Sequence, residues 1–260
     1  MKREKALVDN RRSKLLETLK ANGHVKVSDL AAEFNVSPLT IRRDLQYLED
    51  TKKLERFYGG ASIINDHFNT QEDDITLYRK LIAMYAASLV EDGDTIFINT
   101  SSTALQMIKY IKDKRVTVIT NNGKAIYTEH SSNVSVILTG GELREIKEAM
   151  VGEFATNNLE RVSAKKSFLG CMGISLESGM TTEMLNEVNI NQLMFRRVTG
   201  SSYILADHTK LGKNSSFVSC SLNNIQNIIT DELANPIIVN ALRENGIHVH
   251  QVSKSDIFNI

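Results

Sequence analysis

"VSPLTIRRDLQYLED" (residues 36–50) decides how the first part of the chain folds. Ser37 reads as a helix N-cap, because its side-chain oxygen can accept from the free N–H groups of a first turn. Pro38 suits the first helical position, where no N–H is needed. Ile41, Leu45 and Leu48 recur at i, i+4 and i+7 and form one apolar stripe. Arg42, Arg43 and Gln46 point elsewhere. The helix then has a dry side that packs and a basic side whose one local counter-charge is Asp44. An ordinary amphipathic surface helix would show the same pattern, so the context has to decide.

Upstream, "RSKLLETLKANGHV" (12–25) carries Leu15, Leu16 and Leu19 at helical spacing and stops at Gly23. "KVSDLAAEFNV" (26–36) offers Ser28 as a cap, Leu30, Ala31 and Phe34 as an apolar face, and Asn35 as a stop. Three short helices follow, the last two joined by a turn of about three residues, the helix-turn-helix arrangement. Its second helix enters the DNA major groove with its N-terminal residues toward the bases. Ser37, Leu39, Thr40, Arg42, Arg43 and Gln46 are the candidate contacts; arginine suits both guanine and phosphate. "KKLERFYGGASI" (52–63) reads as a β-wing, with Leu54, Phe57 and Ile63 packing and Gly59-Gly60 turning. Lys52, Lys53 and Arg56 add positive charge, and Arg56 is a further candidate contact along the phosphates or the minor groove. A flexible boundary at Gly-Gly is the alternative.

A length of 260 residues allows two domains, and 42% hydrophobic with 24% charged residues is a globular composition. No signal peptide and no membrane-spanning apolar run is read, and Cys171 and Cys220 make no motif spacing, so idle thiols in a reducing cytoplasm are expected. The six histidines are scattered; no metal and no cofactor is expected. Net charge is zero overall, yet residues 1–62 hold 13 Lys and Arg against 9 Asp and Glu. The surplus of four positive charges lies where the helix-turn-helix was read, which favours DNA contact by that part. Residues 63–75 are polar, acidic and aperiodic, and read as a linker. This gives a winged helix-turn-helix over 1–62 and an effector-binding, oligomerising α/β domain over 76–260.

In that second part, short apolar runs such as "TIFIN", "VTVIT", "VSVIL", "KSFLGCMGI", "SYILAD", "NIIT" and "IHVHQV" alternate with amphipathic helical stretches. The alternation implies a Rossmann-like parallel sheet covered on both faces. Sites in such sheets lie beyond the carboxyl ends of the strands. Four polar loops fall there. "NTSSTA" supplies Asn99, Thr100, Ser101, Ser102 and Thr103 between a strand and a helix, where N–H groups and hydroxyls favour an anion. "TNNGK" supplies Asn121, "LTGGELR" supplies Gly140, Gly141 and Arg144, and "ADHTKLGK" supplies Asp207 and Lys210. Singly each is also an ordinary turn; together they suggest a pocket for a small phosphorylated polyol.

Both halves resemble the DeoR family of bacterial transcription regulators. The resemblance rests on "VSPLTIRRDLQYLE" with "LERFYGGA", and on "EDGDTIFINTSST", "VTVITNN", "ILTGGELR", "MVGEFA", "FLGCMGIS", "GMTTEMLNEV", "LADHTKLGK" and "IITD". It covers nearly the whole chain. It implies a sensor domain related to sugar-phosphate isomerases and coenzyme A transferases, a phosphorylated sugar effector gripped by the Ser/Thr loop, and repression of carbohydrate operons. The sequence departs from the family pattern in the loop, where Asn99-Thr100-Ser101-Ser102-Thr103 replaces Asp-Ser-Gly-Ser-Thr. It departs again at Asn191, usually lysine, at Tyr58, usually histidine, and at Lys52, usually glycine. The first two departures bear on which sugar is bound.

Two functions compete. A DNA-binding repressor, switched by a small phosphorylated ligand, would act on double-stranded operator DNA as a homo-oligomer, dimer or tetramer. An aldose–ketose isomerase would need a carboxylate base, for which Asp207 with Lys210 is the candidate. The appended helix-turn-helix favours the repressor, and the arginine pair disfavours a helix-turn-helix used only to bind proteins.

Overall fold

The structure, a computed structural model, describes residues 2–22, 24–51, 53–57, 60–63, 70–145 and 147–258. It divides into two compact units, Met1–Glu72 and Asp73–Ile260.

The first unit runs α1 (Lys2–Asn22), β1 (His24–Lys26), α2 (Val27–Glu33), α3 (Pro38–Asp50), β2 (Leu54–Phe57) and β3 (Gly60–Ile63). α3 begins where the sequence places it: the backbone N–H of Thr40 donates to Ser37 Oγ at 3.1 Å, and Pro38 takes the first helical position. Ile41, Leu45 and Leu48 are buried with Leu15, Leu19, Leu30 and Leu54 in one core. Full burial of such a side chain contributes about 1.5–3 kcal/mol. β2 and β3 pair antiparallel from Leu54↔Ile63 to Phe57↔Gly60 and make the expected wing. β1 joins as a third strand beside β3. Three residues are too short for an alternation to show, so this strand left no mark in the sequence pattern. Ser28 is not the cap of α2. The helix starts at Val27 with Lys26 at the N-cap, held by its pairing with Gly60, and Ser28 Oγ donates to Asp29 instead. Residues 52, 58 and 59 and the side chains of Arg56, Phe57 and Ile63 lie outside the described residues.

α4 (Thr70–Ser88) takes in residues 70–75 of the expected linker, while 64–69 lie outside the described residues. The chain continues through β4 (Thr95–Ile98), α5 (Ser102–Gln106), β5 (Val116–Thr120), β6 (Val134–Leu138), β7 (Glu142–Arg144), β8 (Ala149–Val151) and α6 (Glu153–Glu160). It ends with β9 (Ala164–Gly170), β10 (Gly173–Ser175), β11 (Gly179–Thr182), α7 (Leu185–Arg196), β12 (Val198–Leu205), β13 (Phe217–Cys220), β14 (Asn227–Asp231), α8 (Pro236–Glu244) and β15 (His248–Val252). Seven strands form a parallel sheet in the order β15-β14-β12-β9-β4-β5-β6. Along β4, Ile96 and Ile98 join the core under α4 and α5, while Phe97 joins the core under α6, α7 and α8. That two-sided burial is why the strands read as unbroken apolar runs.

Of the stretches between the apolar runs that read as helical, "GKAIYTEH" (123–130) is a 3₁₀ segment over Gly123–Tyr127, and "ALQMIKYI" (104–111) divides into the end of α5 and a 3₁₀ turn. The antiparallel sheet β10-β11-β13 and the β7–β8 hairpin were not foreseen. From β4 the chain moves outward to β5 and β6, then returns to place β9 on the other side of β4. Strand order therefore reverses between β4 and β9, and a crevice opens beyond their carboxyl ends.

Candidate functional site

The exposed face of α3 is the first candidate. Arg42 and Arg43 are exposed, and Leu39 is 56% exposed. Ser37 Oγ and Thr40 Oγ1 lie 2.8 Å apart at the helix start. Gln46 is exposed but donates to Asp50 and Glu49 of its own helix. The sequence treats Asp44 as the counter-charge of this face, which is incorrect. Asp44 is 2% exposed on the packed side and accepts from Arg11 Nε at 2.6 Å and Arg12 Nε at 2.9 Å. It ties α1 to α3, and Arg12 also stacks over the Tyr47 ring at 3.7 Å. Turned inward and shared by two other arginines, Asp44 does not neutralise the face that carries Arg42 and Arg43. Arg56 has its backbone in β2, and its side chain lies outside the described residues.

The second candidate is a cavity of about 440 Å³ at the β4/β9 crevice, within the roughly 300–1,000 Å³ usual for small-molecule sites. Of the residues predicted for the pocket, Asn99, Thr100, Ser101, Ser102 and Lys210 line it. Glu187 of α7 is the carboxylate of the lining and is 6% exposed. It accepts from Thr100 Oγ1 at 2.8 Å, Thr182 Oγ1 at 2.7 Å and Lys147 Nζ at 3.2 Å. Lys109, Lys124 and Lys147 join Lys210 on the wall. Four ammonium groups thus face one carboxylate whose lone pairs are taken.

Six residues foreseen as lining are elsewhere. Thr103 is buried beneath the loop. Asn121 donates to the Met150 carbonyl at 3.2 Å and anchors the β7–β8 hairpin. Gly140 and Gly141 shape the approach to that hairpin, both with positive φ; at Gly141 a Cβ would stand 2.5 Å from the Val151 carbonyl, so the close approach is to protein backbone. Arg144 is exposed and pairs with Glu142 at 3.2 Å. Asp207 is 2% exposed and accepts from Arg79 Nε at 2.7 Å and from Thr209. Burial pushes its carboxyl up, but the hydrogen bonds of Thr209 and Arg79 and the nearby Lys210 charge outweigh this and hold it below the ordinary carboxylate value. Lys147, Thr182 and Glu187 escaped the sequence reading because the β7–β8 turn, β11 and α7, all distant in sequence from the loop, deliver them, while Asn191 entered it only as a departure from the family pattern. The signal for Glu187 and Asn191 was their position within the quoted "GMTTEMLNEV" stretch and the helix it opens. Cys171 also borders the cavity, and burial pushes its thiol up to about 11, so it is protonated at neutral pH. Among the described residues no His, Cys, Asp and Glu side chains gather as a metal site, and no helix is long and apolar enough to cross a membrane.

Residues 11–67 match the model described as a DeoR-like helix-turn-helix domain, and residues 76–232 match that of a DeoR C terminal sensor domain. An uncharacterised HTH-type transcriptional regulator of Bacillus subtilis, YulB, is 35% identical over 96% of this chain and 98% of its own. The lactose phosphotransferase system repressor of Staphylococcus aureus is 31% identical over 85% of this chain and 91% of its own. Among solved structures, ribose 5-phosphate isomerase A of Methanocaldococcus jannaschii aligns at 16% identity and a TM-score of 0.38, over 54% of this chain and 55% of that one, a likeness that carries no argument about function.

Proposed function

Because the chain belongs to the DeoR family of helix-turn-helix transcriptional regulators, we propose that it is a repressor of a carbohydrate-utilisation operon, controlled by a phosphorylated sugar in the β4/β9 cavity. The observation that carries the effector reading is the lining of four lysines against one saturated carboxylate, with the hydroxyls of Thr100, Ser101 and Ser102 beside them. Such a wall favours a ligand bearing a dianion and several hydroxyls. Operator DNA is read by the start of α3 through Leu39, Thr40, Arg42 and Arg43, with Arg56 along the phosphates. Helix-turn-helix proteins engage repeated half-sites, so a homodimer or tetramer is the working form, and the target places it in the cytoplasm.

The isomerase alternative lacks a base. Asp207 is outside the cavity lining and held ionised by Arg79 and Thr209, and Glu187 is occupied by Thr100, Thr182 and Lys147. Gel-shift titration on the DNA flanking its gene, with thermal-shift measurement across aldose and ketose phosphates, tests the proposal. One sugar phosphate should raise the melting temperature and move the gel-shift midpoint by roughly 5–150-fold, the span of typical coupling energies. If no phosphorylated sugar changes either, effector control by this cavity is wrong.

A further inference from the structure

Every hydrogen-bonding position of the Asn99 side chain is spent within the protein. Nδ2 donates to the Gly170 carbonyl at 2.9 Å and to Asn191 Oδ1 at 3.0 Å. Oδ1 accepts from Gly170 N at 3.0 Å and Ser101 N at 3.3 Å. An amide has two donors and one doubly accepting oxygen, so nothing remains for a ligand. The Gly170 pair also fixes which end is which, because a backbone N–H only donates and a carbonyl only accepts. That direction is passed on. Asn191 turns its oxygen to Asn99 and its Nδ2 to Ser219 Oγ at 3.3 Å. Asn99, Asn191 and Ser219 are all buried. The result is an uncharged relay from β9 through the end of β4 and α7 to β13, crossing the point where strand order reverses. Gly170 belongs to it, since a Cβ there would fall inside the Ser101 side chain. Asn99 and Asn191 are also two positions at which the sequence departs from the family pattern, and the structure joins them.

We propose that Asn99 and Asn191 are a coupled pair of positioning residues that fix the Thr100–Ser102 rim of the cavity without gripping its ligand, leaving recognition to the lysines and hydroxyls. The inference rests on the cavity being the effector site, but its first test does not need a ligand. An ionised carboxylate in place of the Asn99 amide would face the Gly170 carbonyl, an acceptor that cannot be turned away, whereas a protonated one regains a donor. A lysine in place of Asn191 would supply the missing partner.

The full-length chain is compared as wild type, Asn99→Asp, Asn191→Lys and the double variant, by thermal unfolding between pH 5 and 8 and by titration with inorganic phosphate. The cavity's own charged groups, Glu187, Lys109, Lys124, Lys147 and Lys210, are common to all four, so differences from wild type at each pH isolate the substituted pair. At pH 8 Asn99→Asp should melt roughly 5 °C or more below wild type, and the deficit should shrink as pH falls and the carboxyl takes up a proton. The double variant should recover at least half of the summed single losses, without that pH dependence, and keep the wild-type phosphate response. Additive losses, or an Asn99→Asp deficit independent of pH, would overturn the coupling. A double variant that regains stability yet needs more than about tenfold more phosphate would show that the pair touches the ligand, and would overturn the positioning role. Failure of phosphate to bind wild type, with the coupling intact, would count against the effector reading alone.

Discussion

Asp44 shows how far one side chain can mislead when read in place. In the sequence it stands among Arg42, Arg43 and Gln46; in the structure it is buried and shared by Arg11 and Arg12, which are each about one-fifth exposed. Removing one partner of such a pair leaves the others uncompensated. Asp44→Asn should therefore destabilise the first unit by about 2 kcal/mol, less than a fully buried pair would lose because solvent reaches both arginines. Urea unfolding, with hydrogen exchange in α1 and α3, measures it. The thiols give a second prediction at this scale. Burial pushes Cys171 and Cys220 up to about 11 from an ordinary value of 9.0. At pH 8 the native chain should react with a thiol reagent about a hundredfold more slowly than the unfolded chain, from thiolate fraction alone. The folded values lie above the unfolded one, so the thiols cost the fold stability only as pH rises beyond about 9. Fast native labelling at pH 8 would contradict this. Ser37, Ile41, Leu45 and Leu48 were legible because their roles depend on neighbours three to seven residues away. Glu187 and Lys147 were not, because they meet each other and Thr100 across 40 and 87 residues.

The decisive element is the turn between α2 and α3. Asn35 has φ 49°, and the N–H of Val36 donates to Ala31 O at 3.0 Å while that of Asn35 donates to Ala32 O at 3.3 Å. This is a Schellman stop, which needs a residue that tolerates the left-handed region. Asn35→Gly should leave stability unchanged or slightly raised, whereas Asn35→Val should cost about 1–2 kcal/mol and tilt α3 against α2. Denaturant midpoints of the two variants check it; equal midpoints would mean that the turn does not set the helix pair. Elements of this kind, with caps and stops in adjacent residues, could be read from the sequence. Strands β1, β7, β8 and β10 could not, since three residues show no period, and β1 moreover pairs with β3 some way along the chain.

Across the whole molecule, a parallel sheet was legible from its apolar runs, but strand order was not, and strand order is what builds the cavity. The return of the chain to place β9 beside β4 brings Gly170 to Asn99 and opens the crevice that Lys210, Lys147 and Glu187 then line. The loops with Gly141, Arg144 and Asp207 also lie at or near strand ends, yet they serve the hairpin, a surface ion pair and α4. A polar loop at a strand's end is therefore a weak guide to a site unless its neighbours in the sheet are known. The two units answer to different tests, one with DNA and one with a ligand.

The most direct test of the account is the affinity of the full-length chain for promoter DNA flanking its gene, measured by gel shift for wild type, Arg42→Ala, Arg43→Ala and the double variant at fixed salt. Each single substitution should weaken binding by about 1–3 kcal/mol, roughly 5–150-fold, with only a small change in melting temperature, because both side chains are exposed and contacts at the surface contribute little. Wild-type affinity in the folded double variant would contradict the reading of α3 as the element that enters the groove.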